Sequence, residues 1–287
     1  MPEQYFIVPA FDPVLIHIGP LAIRWYALAY IFGLLGGWWY GRRLIGNARL
    51  WLVQPGTKLQ FDDLLIWVTL GVVIGGRLGM LLYEPDYYLA NPIEIFKVWE
   101  GGMAFHGGFL GAALAVILFA WLNKIPILSY LDIAACVAPI GLFLGRIANF
   151  INDELWGRPA WGSAWGMISP SSPFALVPQQ GPTPRYPSQL IEALLEGLAL
   201  FVLFAVMTRF GALKRPGLIA GLFGIGYAGA RSFSELYREP DGWWIQDMLT
   251  IGQAYSLPMI VAGLGLVIYA LTHRPEAPKA SDAPKSA

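Results

Sequence analysis

Arginines in apolar surroundings are the first feature of this chain that bears on chemistry. Arg24, Arg77, Arg146 and Arg231 each interrupt or border a long apolar run. In hydrocarbon, a charged side chain costs at least ~2.5–3.5 kcal/mol, so it needs a partner or a wet cavity. Arg24 is compatible with snorkelling to an interface, and Arg77, beside Gly76, with structural pairing. Arg146 and Arg231 point to function. Tyr227, Arg231, Glu235 and Arg238 are spaced i, i+4, i+8, i+11 and share one helical face. Arg231 and Glu235 can also simply pair. Arg146 and Asn149 are i, i+3 neighbours, with Asn152 and Glu154 just beyond. Planar guanidiniums bind phosphate through two parallel hydrogen bonds and stay charged at low dielectric. Two on facing helices suit a phosphate diester, and the nearby acids limit the net charge of the empty site. His106 lies between Gly101-Gly102 and Gly107-Gly108, where paired glycines permit close approach. It is either a proton acceptor or a structural histidine.

The elements that position these residues follow from composition. Of 287 residues, 56% are hydrophobic and 13% charged, against about 25% charged in soluble domains. Such a chain cannot hide its apolar surface in water, and disorder is excluded for the same reason. Apolar segments lie near 19–41, 62–83, 104–122, 130–151, 188–209, 217–237 and 251–272. Each is long enough for a helix to cross ~30 Å of hydrocarbon. Runs such as Ala112 to Ala120 do not alternate, which argues against a β-barrel. The expectation is an all-α, polytopic protein with seven transmembrane helices. Residues 1–272 form one membrane domain with outer loop regions at about 84–103 and 152–187, and 273–287 form a mobile cytoplasmic tail. Glycines spaced by four (Gly71, Gly75 and Gly79; Gly141 and Gly145; Gly217 and Gly221) predict close helix packing.

Orientation follows the basic residues. One side would hold eleven: Arg42, Arg43, Arg49, Lys58, Lys124, Arg209, Lys214, Arg215, Arg274, Lys279 and Lys285. The other would hold four: Lys97, Arg158, Arg185 and Arg238. This places the N-terminus outside and the C-terminus in the cytoplasm. Arg146, Arg231, His106, Tyr26 and Glu192 then fall at one depth from separate segments. That convergence predicts a polar cavity open to the outer leaflet. Net charge is zero, with 19 basic and 19 acidic residues, so nothing suggests nucleic acid. No metal or cofactor motif is present, and the lone Cys136 allows no internal disulfide.

Residues Gly145 to Gly157 read GRIANFINDELWG. This resembles the G-R-x-G-N-F-x-N-x-E-x-x-G motif of the prolipoprotein diacylglyceryl transferases, with Ala148 in place of a glycine. WEGGMAFHGG (Trp99 to Gly108), RYPSQL (Arg185 to Leu190), GYAGAR followed by SFSELYREPD (Gly226 to Asp241), and the opening FDPVLIHIGPLAIRWY also resemble blocks of that family. The resemblance implies a seven-helix enzyme of the bacterial inner (plasma) membrane. Its substrates would be phosphatidylglycerol, a membrane lipid, and preprolipoproteins with a lipobox cysteine in their signal peptides. It implies essential arginines at Arg146 and Arg231 and a histidine at His106. Tyr26, Asn149, Asn152, Glu154, Gly157 and Tyr227 stand at further motif positions, and Glu235 and Arg238 lie on the face of Arg231.

The implied reaction moves the diacylglyceryl group to the cysteine thiol. A thioether forms and glycerol phosphate leaves. Negative charge grows on the departing phosphate, so fixed guanidiniums aimed at it stabilise the transition state over the ground state. A thiol with pKa ~8.5 must deprotonate first. Either His106 takes the proton or the arginine field favours the thiolate. An arginine-lined cavity also suits an anion or lipid transporter, but the inner half offers little polarity beyond Asp132.

Overall fold

The structure is a computed structural model that describes residues 5–19, 21–97, 103–169, 176–177, 181–240, 242–245 and 248–273. Its helices are α1 (Trp25–Ile45), α2 (Lys58–Tyr83), the short α3 (Pro85–Ala90), α4 (Phe105–Leu122), α5 (Ile127–Ile151), α6 (Ser188–Glu192), α7 (Leu200–Arg209), α8 (Leu218–Ser234) and α9 (Ile251–Thr272). A π-helical stretch, Ala193–Ala199, joins α6 to α7 without a break. Among the described residues, four segments are long and apolar enough to cross a membrane: Lys58–Leu82, Ile127–Ile151, Ser188–Arg209 and Ile251–Thr272. Helix α4 is apolar but shorter over Gly107–Leu122. Large apolar side chains stay exposed along these helices, among them Ile66, Leu82, Phe210 and Val261. Water would not tolerate so continuous an apolar surface, whereas lipid does. The protein is a helical membrane protein.

The first apolar segment corrects the expectation of a helix from residue 19. Val14–Ile18 and Leu21–Arg24 form an antiparallel hairpin with Val14 opposite Arg24, turning at Gly19 with φ +60°. Helix α1 starts only at Trp25, so Arg24 sits at its N-terminal boundary. The β-branched alternation of the hairpin favours a pleated ribbon over a helical turn. Helices α2 and α9 begin at capping boxes. The Gln60 amide donates to Thr57 Oγ1 at 3.2 Å and the Thr57 amide to Gln60 Oε1 at 2.9 Å. Thr250 and Gln253 repeat the arrangement at 3.1 Å.

Helix α5 is central and packs against α1, α7, α8 and the π-helical stretch. Tyr130, Ile133, Phe204, Leu213 and Ile219 form a fully buried core where α5, α7 and α8 meet. Asp132 on α5 is also buried there. Its carboxylate accepts from the amides of Gly217 (2.7 Å) and Ala220 (2.8 Å), capping the start of α8 from outside the helix.

The glycine expectation divides. Along the α2–α4 seam, a Cβ on Gly71 would lie 2.5 Å from the Gly111 carbonyl oxygen. Gly75 and Gly79 are pressed against Gly107 in the same way. Gly221 packs on Gly263 of α9. Gly141 packs on α1, where a Cβ on Gly33 would lie 3.2 Å from the Gly141 Cα. Gly145 and Gly217 correct the reading: a Cβ on Gly145 would meet nothing within 4 Å, and Gly217 adopts φ +90° at the entry to α8. Arg77 is buried and structural: it donates to Tyr88 Oη (3.3 Å) and to the Glu94 carbonyl (2.8 Å), tying α2 to the segment after it.

Candidate active site

Helix α5 brings Arg146 and Asn149 to its C-terminal end, and the chain then turns sharply. Asp153 and Leu155 both adopt φ +60°. For a residue as bulky as leucine this is a strained conformation that surrounding contacts must hold. The contacts are present. Ser188 Oγ donates to the Leu155 carbonyl at 2.6 Å, and the Gln189 side chain donates to the Glu154 carbonyl. Trp156 Nε1 donates to Asp153 Oδ1 at 2.6 Å. RYPSQL thus supports the GRIANFINDELWG turn. The turn carries Glu154 back over α5, where Asn149 Nδ2 donates to Glu154 Oε1 at 2.7 Å. Tyr26, from the first turn of α1, borders Asn149 and Glu154 and lies 3.4 Å from Tyr30 through the two hydroxyls.

Beside this polar corner lies an ion-pair cluster that joins three helical segments. Glu192, at the end of α6, is fully buried and sits at its centre. Its Oε2 lies 3.0 Å from Arg146 Nε, and its Oε1 lies 3.1 Å from both Arg231 Nη1 and Arg238 Nη1. Glu196, one turn on and within the π-helical stretch, receives Arg146 Nη2 at 3.1 Å and Nε at 3.3 Å. Glu235 holds Arg231 Nη2 at 2.6 Å. Three guanidiniums (Arg146, Arg231, Arg238) therefore face three carboxylates (Glu192, Glu196, Glu235). In a low-dielectric interior a balanced set avoids the cost of an unpaired buried charge. Among the arginines Arg146 is the most open, its side chain 13% accessible against 10% for Arg231 and 5% for Arg238. Nε and Nη2 of Arg146 are occupied, whereas Nη1 makes no hydrogen bond to any described residue. One edge of this fork therefore stays available for an anion.

The structure brings together Tyr26, Asn149 and Glu154 at one corner and Arg146, Arg231, Glu235 and Arg238 at the other, with Tyr227 buried beside Arg146 and Glu196. Phe223 stacks on Tyr227 at 5.9 Å between ring centroids. Arg238 is the most enclosed of the arginines and braces Glu192. Gly157 sits apart. Its amide donates to the Tyr186 carbonyl at 2.8 Å, and a Cβ there would run into the carbonyls of Tyr186 and Tyr237. The position is one of backbone packing. Asn152 Oδ1 is buried without a hydrogen-bond partner among the described residues. His106 falls in the first turn of α4; its side chain lies outside the described residues.

Sequence reasoning paired Glu235 with Arg231 but missed the other two carboxylates that organise the arginines. Glu192 is visible there only as a polar residue at the right depth, and Glu196 not at all. The signal is the same one that singled out the arginines: two acids at i, i+4 inside an apolar span, where neither can remain charged alone.

A family model described as prolipoprotein diacylglyceryl transferase matches residues 13–269. The phosphatidylglycerol–prolipoprotein diacylglyceryl transferase of Nitrobacter hamburgensis is 53% identical over 277 residues, covering 95% of this chain and 92% of the relative. The relative of that name from Rhodopseudomonas palustris is 53% identical over 274 residues, covering 93% of each chain. The one from Methylocella silvestris is 51% identical over 267 residues, covering 91% of this chain and 94% of its own. None of these likenesses supports the transporter reading. With its motif turn, ion-pair cluster and near-complete coverage, the chain belongs to the prolipoprotein diacylglyceryl transferase family.

Proposed function

We propose that this protein transfers the diacylglyceryl group of phosphatidylglycerol to the lipobox cysteine of preprolipoproteins, the first step of lipoprotein maturation. The observation that carries the reading is the half-engaged fork of Arg146, with Nε and Nη2 on Glu192 and Glu196 and Nη1 available. A fork already held in plane by two carboxylates pays little to orient itself toward a phosphodiester oxygen. Arg231, tied to the same Glu192, supports it from α8. The cysteine sulfur attacks the glycerol carbon next to the phosphate. The carbon–oxygen bond breaks, and its electron pair goes to the departing glycerol phosphate. Charge grows on that phosphate, where the guanidiniums act more strongly in the transition state than in the ground state. Asn149, Glu154 and Tyr26 line the neighbouring corner and position the glyceryl portion, while Tyr227 packs the floor. His106 is the proton acceptor for the thiol in this scheme.

In the membrane the chain spans seven times, with the N-terminus outside, the C-terminus in the cytoplasm and the site toward the outer leaflet of the bacterial inner membrane. The basic-residue asymmetry supports this orientation. The site then lies where an exported signal peptide presents its cysteine. The test is incubation of purified protein with phosphatidylglycerol and a synthetic lipobox peptide. Expected is a gain in peptide mass by one diacylglyceryl group, matched by released glycerol phosphate. Anion flux through vesicles without such a product would overturn the proposal.

A further inference from the structure

The arginine–carboxylate cluster has a consequence for protons. Arg146, Arg231 and Arg238 balance Glu192, Glu196 and Glu235. A phosphodiester monoanion that enters this site adds one negative charge beside these three carboxylates. The three carboxylates are not equally placed to absorb it. Glu192 keeps contacts with three guanidiniums. Glu235 keeps its 2.6 Å pair with Arg231. Among the described residues Glu196 pairs only with Arg146, at 3.1 and 3.3 Å, and its Oε1 is buried with no hydrogen-bond partner. It is fully enclosed and fixed near α5 because the next residue, Gly197, rests on the Phe143 backbone, where a Cβ would come within 2.7 Å of Phe143 Cα. The groups that face it are Arg146 from α5, Tyr227 and Arg231 from α8, and Glu192 from its own helix. When a phosphodiester shares Arg146, Glu196 is the carboxylate left with neither a full counter-charge nor a hydrogen bond on its second oxygen. A bare carboxylate in that position is far costlier than a protonated one.

We infer that Glu196 takes up one proton when phosphatidylglycerol binds and returns it to the departing phosphate. The inference rests on the reaction proposed above. As the sulfur–carbon bond forms and the carbon–oxygen bond breaks, the diester monoanion becomes a monoester that would carry two negative charges. The Glu196 proton moves to an oxygen of that phosphate, which leaves as a monoanion. Glu196 regains its charge and its pair with Arg146. The thiol proton departs separately to its own acceptor, so one proton enters with the lipid and one leaves with the product. Glu196 and the phosphate share one guanidinium, that of Arg146.

The test is calorimetric titration of the purified full chain in detergent with short-chain phosphatidylglycerol, in buffers of different ionisation enthalpy. The dependence of heat on buffer counts protons directly. About one proton taken up per lipid bound is expected around neutral pH, with affinity falling up to about tenfold per pH unit as pH rises. Glu196→Gln should bind the lipid with no proton uptake and a flat pH profile, and should lose turnover more than affinity. Lipid binding by wild type without proton uptake overturns the inference, as does uptake that persists in Glu196→Gln. If Glu196→Gln does not fold, infrared difference spectra of wild type and Glu196→Asp on lipid addition decide the matter. A protonated carboxyl band that shifts in the Asp variant assigns the proton to this residue, and an unshifted band removes it. Failure of wild type to bind phosphatidylglycerol would instead refute the proposed reaction.

Discussion

Replacing Arg146 by lysine keeps the charge of the cluster and removes only the shape of the donor. Arg146 uses Nε toward Glu192 at 3.0 Å and Nη2 toward Glu196 at 3.1 Å, and offers Nη1 outward. A lysine ammonium is a single point. It can stay between the two carboxylates or move to the phosphate, but it cannot hold a planar edge toward both. Charge-assisted hydrogen bonds are worth about 1.5–3 kcal/mol, and loss of one preorganised donor to a developing oxyanion costs about 2.7–4 kcal/mol. At about 1.4 kcal/mol per decade, Arg146→Lys is expected to lower kcat/KM by roughly 10²–10³-fold. The net charge of the buried set is unchanged, so membrane insertion and thermal stability should stay near wild type. The assay is initial-rate formation of lipidated peptide at varied phosphatidylglycerol, with thermal unfolding of the same sample in detergent. Retention of activity within a few-fold would show that a point charge suffices and would refute the fork argument. Loss of activity with equal loss of stability would make Arg146 a structural tie.

Other perturbations separate the remaining parts. Glu192→Ala leaves three buried guanidiniums short of their shared partner, and removing one member of a buried pair costs about 3–5 kcal/mol; thermal unfolding should show a far larger loss than for Arg146→Lys, and an unchanged midpoint would deny Glu192 its central place. His106→Gln should slow turnover about 10²–10⁴-fold if the imidazole is the proton acceptor. Part of that loss should return as pH rises, because the thiolate fraction grows about tenfold per unit below the thiol pKa of ~8.5; a loss equal at every pH from 6 to 9 makes His106 a scaffold residue. Cysteine at Trp165, an exposed position, should react with an impermeant maleimide in intact cells, and cysteine at Lys214 only after lysis. Native Cys136 is buried and gives little background. Labelling of the Lys214 position from outside reverses the orientation.

What the sequence disclosed, and what it hid, divides along the range of the interactions. Arg231 and Glu235 are one helical turn apart on α8, and their 2.6 Å pair follows from spacing alone. Arg146 and Asn149 stand out because polar residues are rare in such runs. Arg146 meets Glu196 across 50 residues of chain, however, and no periodicity on either helix reveals which residues face each other. The π-helical stretch adds to the difficulty, since it alters the rotation between residues on either side of it. The hairpin before α1 was hidden for a different reason. An apolar run with β-branched residues is consistent with either helix or strand, and here the Gly19 turn and the pairing of Val14 with Arg24 decide it. The Gly145 position shows the limit of spacing as a packing signal: small residues recur by four, yet no neighbour approaches.

Charge balance also bears on release. The field that favours a departing phosphate would retain it if nothing opposed it, because a monoester binds guanidiniums at least as well as the diester it came from. A site built of arginines alone would then stabilise product as much as transition state, and binding of that kind adds nothing to turnover. Glu192, Glu196 and Glu235 change this. Each guanidinium that faces the phosphate also has a carboxylate within 3.1 Å that draws on its charge. The resting pairs are thus competitors for the product, held in place by α6, α8 and the π-helical stretch at no cost in reorganisation. Weakening them should shift the slow step toward release. Removal of Glu196 would leave Arg146 with Glu192 alone, and glycerol phosphate should then inhibit more strongly than it does in wild type. The reverse result, weaker product inhibition in Glu196→Gln, would mean that the carboxylate helps to hold the phosphate rather than to expel it.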